Sequence, residues 1–184
     1  HKEYRRQRQM CIRDRGFYSM YQNTIKPAQF SRLDAVWQAM QSQDNAALWI
    51  SGIVSLIGKD QYFRWHDSGD LQGLQHLELI VQVCEATPGC KHWLPTREYG
   101  IVKDYIAKHG SFPNNLIVRL SAMYPDKPVK IPASLSGIGN VAASNVHTAN
   151  TAWHGVRCGA PDNNGACGDC RACWSQTTVS YELH

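Results

Sequence analysis

Between residues 62 and 122 the sequence switches repeatedly between two hydrophobic periods, and this alternation constrains the fold more than any other feature. "YFRW" at 62–65 is short and aromatic and reads as a buried strand. "DLQGLQHLELIVQVCEA" then sets Leu71, Leu74, Leu77, Leu79, Ile80, Val83 and Cys84 at helical spacing, and "TPG" stops it. A second strand follows at "HWLP" (92–95), a second helix at "EYGIVKDYIAKHG" from Glu98 to Gly110, and a third strand at "NLIVRLSA" (115–122). Strand, helix, strand, helix, strand implies parallel pairing through right-handed crossovers. The expected class is α/β.

Two helices are expected upstream. "PAQFSRLDAVWQAM" places Phe30, Leu33, Val36, Trp37 and Met40 on one face, with Pro27 suited to a first turn, and reads as a core-facing helix. "AALWISGIVSLIG" reads as a helix ending at Gly58. Past Pro125, "PVKIP" and "NVAASNVHT" read as further strands, and a cysteine-rich segment follows. The expected organisation is a basic arm over 1–15, an α/β core over 16–150 and a metal-binding segment over 151–184 packed on that core.

The chain has 184 residues, 43% of them hydrophobic, which is enough for one domain with a substantial core. It contains no apolar run of about eighteen residues, as a membrane span requires, and no secretory signal pattern. A cytoplasmic location is expected, where clustered cysteines serve as ligands more often than as disulfides. The net charge of +4 sits wholly in "HKEYRRQRQMCIRDR", where Lys2, Arg5, Arg6, Arg8, Arg13 and Arg15 face only Glu3 and Asp14. Residues beyond this arm are electrically neutral, which argues against nucleic-acid binding there. The run "RRQRQMCIRDR" resembles translated adapter sequence, so the arm is read as non-native or disordered, and Cys11 is not counted as a ligand.

A parallel sheet gathers its functional residues beyond the C-terminal ends of its strands. "HDSGD" follows the first strand, "TRE" the second, "SAMYPD" the third, and "SNVHT" lies near the last. His66, Asp67, Asp70, Arg97, Glu98 and His147 are therefore the candidate lining of a polar pocket. Arg97 is suited to clamp a carboxylate or phosphate, and the acids to accept from hydroxyls or an amine. Each residue also has a structural reading: Ser68 or Asp70 as a helix cap, Thr96 as an N-cap with Glu98 in the first turn, and His147 as a hydrogen-bonded structural histidine. Cys84 reads as core and Cys90 as a loop thiol.

"RCGAPDNNGACGDCRACW" (157–174) holds four of the seven cysteines. Cys158, Cys167, Cys170 and Cys173 have the spacing C-x8-C-x2-C-x2-C. Three ligands in one C-x2-C-x2-C run with a distant fourth match the way ferredoxins hold a cubane. Structural zinc more often uses two separated pairs. The spacing thus favours a [4Fe-4S] cluster on these four residues, with Zn as the alternative metal.

"FRWHDSGDLQGLQHLELI", "KHWLPTRE", "NLIVRLSAM" and "CGDCRACWSQTTVSYELH" together resemble the phage gene product 88 family, over nearly the whole chain from Gly16. The resemblance implies a phage origin, and a fold similar to the partial (β/α) barrel of radical S-adenosylmethionine enzymes. It also implies an N-terminal cysteine cluster ahead of "GFYSMYQNTIKPAQFSRL", where this chain carries the adapter-like arm instead. On that reading the chain is N-terminally truncated. The catalytic cluster that would bind S-adenosylmethionine is then missing, and only an auxiliary site remains.

The chain is expected to be an iron-sulfur protein with an electron-transfer or auxiliary role beside radical-type chemistry. Its partners would be a redox protein or a small polar ligand, with no membrane. The rivals are a zinc-stapled binding module and an enzyme whose chemistry lies in the polar rim.

Overall fold

The computed structural model of the chain describes residues 24–66, 69–149 and 151–183, so the basic arm, Cys11, Asp67 and Ser68 lie outside the described residues. The chain divides into two compact units, one up to Trp49 and one from Ile50.

In the first unit, helix α1 (Lys26–Ala39) starts with proline in its opening turn, where a missing N–H is no loss. The side-chain amides of Gln41 and Asn45 donate back to the Trp37 and Gln38 carbonyls, closing the helix end at 3.2 and 3.1 Å. The helix forms where the periodicity predicts, but the expected core stripe does not face a core. Phe30, Leu33 and Trp37 are 58, 48 and 55% exposed, while Val36 and Ala39 are buried. At 100° per residue the buried seam is rotated by roughly a third of a turn from the large apolar side chains. Helix α2 (Gln43–Ile57) crosses the division between the units. It ends at Gly58, whose φ of +54° suits glycine and whose N–H reaches the Val54 carbonyl.

The second unit is built on six strands: β1 (Tyr62–Arg64), β2 (Lys91–Thr96), β3 (Leu116–Ser121), β4 (Val141–His147), β5 (Val156–Arg157) and β6 (Val179–Glu182). All pairings are parallel, in the order β1-β2-β3-β4-β6-β5, and the sheet curls into an open half-barrel. Helices α3 (Leu74–Ala86) and α4 (Tyr99–His109) connect the first three strands, as the alternation predicts. "PVKIP" forms no strand: its two prolines remove two of the donors that a ladder needs. The C-terminal strand β6 and the short β5 add to the strands the sequence predicts.

The pleat sorts the strand residues onto two faces. One face carries Leu94, Val118 and Leu120, all fully buried. On that face His92 shares a 2.9 Å hydrogen bond with Thr87, just past α3, and Phe63 and Trp65 meet the His92 ring. The core residues Leu77, Ile80 and Val83 of α3 and Val102 of α4 are completely excluded from solvent. Each such side chain contributes roughly 1.5–3 kcal/mol over an exposed one. Cys84 lies in this core as expected, and Cys90 is buried too.

The opposite face carries Trp93, Arg119, Val179 and Tyr181, and the C-terminal segment lies over it. Trp93, Cys173 and Val179 form a buried cluster there, joined by Cys158, Ala172, Trp174 and Tyr181. Trp174 docks by donating its ring N–H to the Phe63 carbonyl at 3.1 Å, and sets its edge against Tyr62 and Trp93. Among the described residues no helix is long and apolar enough to cross a membrane.

Candidate functional site

Because all the strands run the same way, their C-terminal ends share one edge. Asp70, in the loop after β1, latches that edge together. One carboxylate oxygen accepts from the Thr96 hydroxyl at 2.6 Å and the Leu71 N–H at 2.8 Å, and the other accepts from the Arg97 N–H at 2.9 Å. Asp70 thus joins the β1 loop to the end of β2 and does not cap α3, whose N-cap is Gly73. Thr96 also accepts from the Glu98 N–H at 3.0 Å, a turn set just ahead of α4, whose N-cap is Glu98 itself.

Arg97 is half-buried, and Glu98 is exposed. Close to Arg97 stands the Tyr99 hydroxyl, whose pKa burial pushes up against the opposing pull of the Arg97 guanidinium. That hydroxyl donates to the Ser121 carbonyl at 2.9 Å, and the Ser144 hydroxyl lies 3.4 Å from that of Ser121. Ser121 and Ser144 are register partners at the end of β3 and on β4, so the polar strip runs across neighbouring strands.

His66 follows β1 with φ of +54°, a left-handed conformation that histidine tolerates better than most side chains. Its ring lies 5.5 Å from that of His76, and burial, then the neighbouring His66, push the pKa of His76 down to about 3. His76 is therefore a neutral acceptor at ordinary pH, and Nδ1 takes the Gln72 N–H at 3.3 Å. His147 stands apart from this group, three strand positions from β1, or about 14 Å at normal strand spacing. Its Nδ1 is hydrogen-bonded to the Ser180 hydroxyl at 2.8 Å and its ring leans on Trp153. The structure thus links Asp70 to Arg97 directly and to Glu98 through Thr96, sets His66 against His76 and His147 elsewhere, and leaves Asp67 outside the described residues.

Tyr99 and Arg119 went unremarked in the sequence. Tyr99 gives no signal, because an aromatic residue in a first helical turn is commonplace. Arg119 does give one, as a lone cation inside the apolar run "LIVRLS".

The four C-terminal cysteines line one small cavity of about 110 Å³, together with Val156, Ala166, Trp174 and Val179. They do not form the expected metal centre. Among the described residues no group of three or more His, Cys, Asp or Glu side chains is arranged to hold a metal ion. A cubane or a zinc ion needs thiolates converging on one point at about 2.3 Å. Here the thiols are scattered around the cavity wall. Cys167 and Cys170 are exposed, Cys158 is half-buried, and Cys173 is buried with its sulfur 3.1 Å from the Tyr181 hydroxyl. Burial also pushes the pKa of the Cys173 thiol up, away from the thiolate that a metal requires. The [4Fe-4S] assignment, its Zn alternative and the electron-transfer or auxiliary role that depended on them are overturned.

A family model, Gene product 88, matches residues 18–176. No curated protein and no solved structure matches the chain.

Proposed function

The chain belongs to the Gene product 88 family, and from that premise and the chemistry of its sheet edge we propose that it binds a small molecule bearing a carboxylate or phosphate, with Arg97 as the clamp. One observation carries the reading. The Arg97 backbone is fixed by Asp70 at 2.9 Å, while among the described residues no carboxylate pairs with its guanidinium. A guanidinium presents a planar fork of donors that matches two oxygens of an anion, and the fixed backbone sets where this one starts from. The Tyr99 hydroxyl near it, held on the Ser121 carbonyl, supplies a neutral polar partner for the rest of such a molecule. The C-terminal edge of a parallel sheet is also where open α/β folds bind their ligands. The reading is of binding and assigns no reaction.

Titration calorimetry with inorganic phosphate, citrate and a nucleoside monophosphate as probes tests it. The expected result is binding of at least one probe, weakened tenfold or more in Arg97→Gln, as loss of a charge-assisted pair implies. Equal affinity in the wild type and the variant, or no binding of any probe, would overturn it.

A further inference from the structure

The cysteine run retains a chemistry that needs two sulfurs, not four. Cys167, Gly168, Asp169 and Cys170 form a tight turn closed by the Cys170 N–H on the Cys167 carbonyl at 3.0 Å. Gly168 takes φ of +53°, which a side chain would strain. A turn closed in this way keeps its first and last Cα atoms within about 7 Å. A disulfide spans about 4.4–6.8 Å between Cα atoms. The turn is braced from outside. Arg171 donates to the Gly168 and Cys170 carbonyls at 2.6 and 2.8 Å, and its guanidinium lies over the Tyr62 ring at 4.7 Å. Both thiols of the turn are exposed, whereas Cys173 is buried on Tyr181.

We propose that Cys167 and Cys170 form an exchange dithiol that closes to an intramolecular disulfide by reducing a disulfide-bearing partner. One cysteine, as thiolate, attacks the partner's S–S bond, forming a mixed disulfide and releasing the first partner thiol. The second cysteine attacks its neighbour's sulfur in that mixed disulfide, forming the Cys167–Cys170 bond and releasing the second partner thiol. The two thiol protons end on the two departing sulfurs, and two electrons pass from the dithiol to the partner. The folded turn favours this closure because its ends are already within reach.

The test equilibrates the protein in glutathione buffers of increasing oxidised fraction, then quenches with acid, alkylates and reads the products by mass spectrometry. The expected product has lost about 2 Da, the two thiol hydrogens, with fragments joining Cys167 to Cys170, and it forms at a lower oxidised fraction than in the denatured chain. Cys170→Ser should instead accumulate one glutathione adduct on Cys167, since the resolving thiol is gone. Both side chains are exposed, so the serine variant leaves no buried void. Closure no easier than in the denatured chain, pairing through Cys158 or Cys173, or a serine variant without the adduct would each overturn the proposal.

Discussion

The Arg119 guanidinium donates to the Ser175 carbonyl at 2.7 Å, fastening the interior of β3 to a segment far along the chain. The same group reaches the Ala143, Thr177, Ala172 and Cys173 carbonyls between 2.6 and 3.2 Å, and it is fully buried. Five carbonyls on one cation replace the water that the charge gave up on burial. Arg119→Met would take a donor from each of those carbonyls, of which Ala172 keeps the Ser175 N–H and hydroxyl, and each carbonyl left unpaired costs on the order of 1–3 kcal/mol. The expected outcome is a loss of at least about 3 kcal/mol in urea denaturation. Hydrogen exchange should also be fast in 172–178 and slow elsewhere. Uniform exchange in the variant would show that the segment does not depend on Arg119.

Asp70 makes a separable prediction at the other end of the sheet. Asp70→Ala removes acceptors from Leu71, Thr96 and Arg97 together and is expected to cost about 2–3 kcal/mol. Asp70→Asn keeps one carbonyl oxygen and should cost less. A double-mutant cycle with Thr96→Val should give a coupling near 1 kcal/mol. Strict additivity would show that the 2.6 Å contact contributes nothing.

Acid should weaken the fold through two buried imidazoles. Burial pushes His92 down to about 4 from an ordinary 6.5, and burial followed by His66 pushes His76 down to about 3. Between those values and 6.5 the unfolded chain binds more protons than the folded one, so stability rises with pH across that window and falls on acidification. Urea midpoints at several pH values between 7 and 4 should therefore decrease steadily, and His92→Gln should flatten the slope. A midpoint independent of pH in the wild type would contradict both assignments.

Two glycines separate a collision from a strained backbone. Gly155 has φ of +86°, and a Cβ there would strike the Thr178 carbonyl, which accepts from the Val156 N–H where β5 meets β6. Gly165 has φ of +81° with open space around it. Gly165→Ala is expected to cost about 1 kcal/mol, the backbone penalty alone. Gly155→Ala is expected to cost about 3 kcal/mol. Thermal denaturation compares them directly, and equal losses would mean that the carbonyl yields.

The sheet up to Ser121 could be read from the sequence because each of its elements carries a local period: 3.6 residues through Leu77, Ile80 and Cys84, and short apolar runs at "HWLP" and "NLIVRL". The large apolar residues of α1 also follow a helical period, yet period alone does not say which face a neighbour covers, and Phe30 and Trp37 stay exposed. Strand β6 carries a local signal, since "TVSYEL" alternates polar and apolar at every position, but that alternation does not reveal its place between β4 and β5, which depends on Arg119 holding the segment before it. Spacing also misled at Cys158, Cys167, Cys170 and Cys173. A ligand pattern gives sequence intervals, whereas coordination needs convergence, and Cys173 is buried against Trp93 and Tyr181 while Cys167 and Cys170 are exposed.

The strand order has a consequence for the growing chain. β6 is made last of the six strands but fills an interior position, between β4 and the two-residue β5. A nascent chain halted anywhere before Val179 has nothing to bridge β4 to β5, and the carbonyls waiting for Arg119 have no strand to hold them in line. Assembly of this half of the molecule must therefore trail synthesis, with the outermost strand emerging from the ribosome before the neighbour that will secure it.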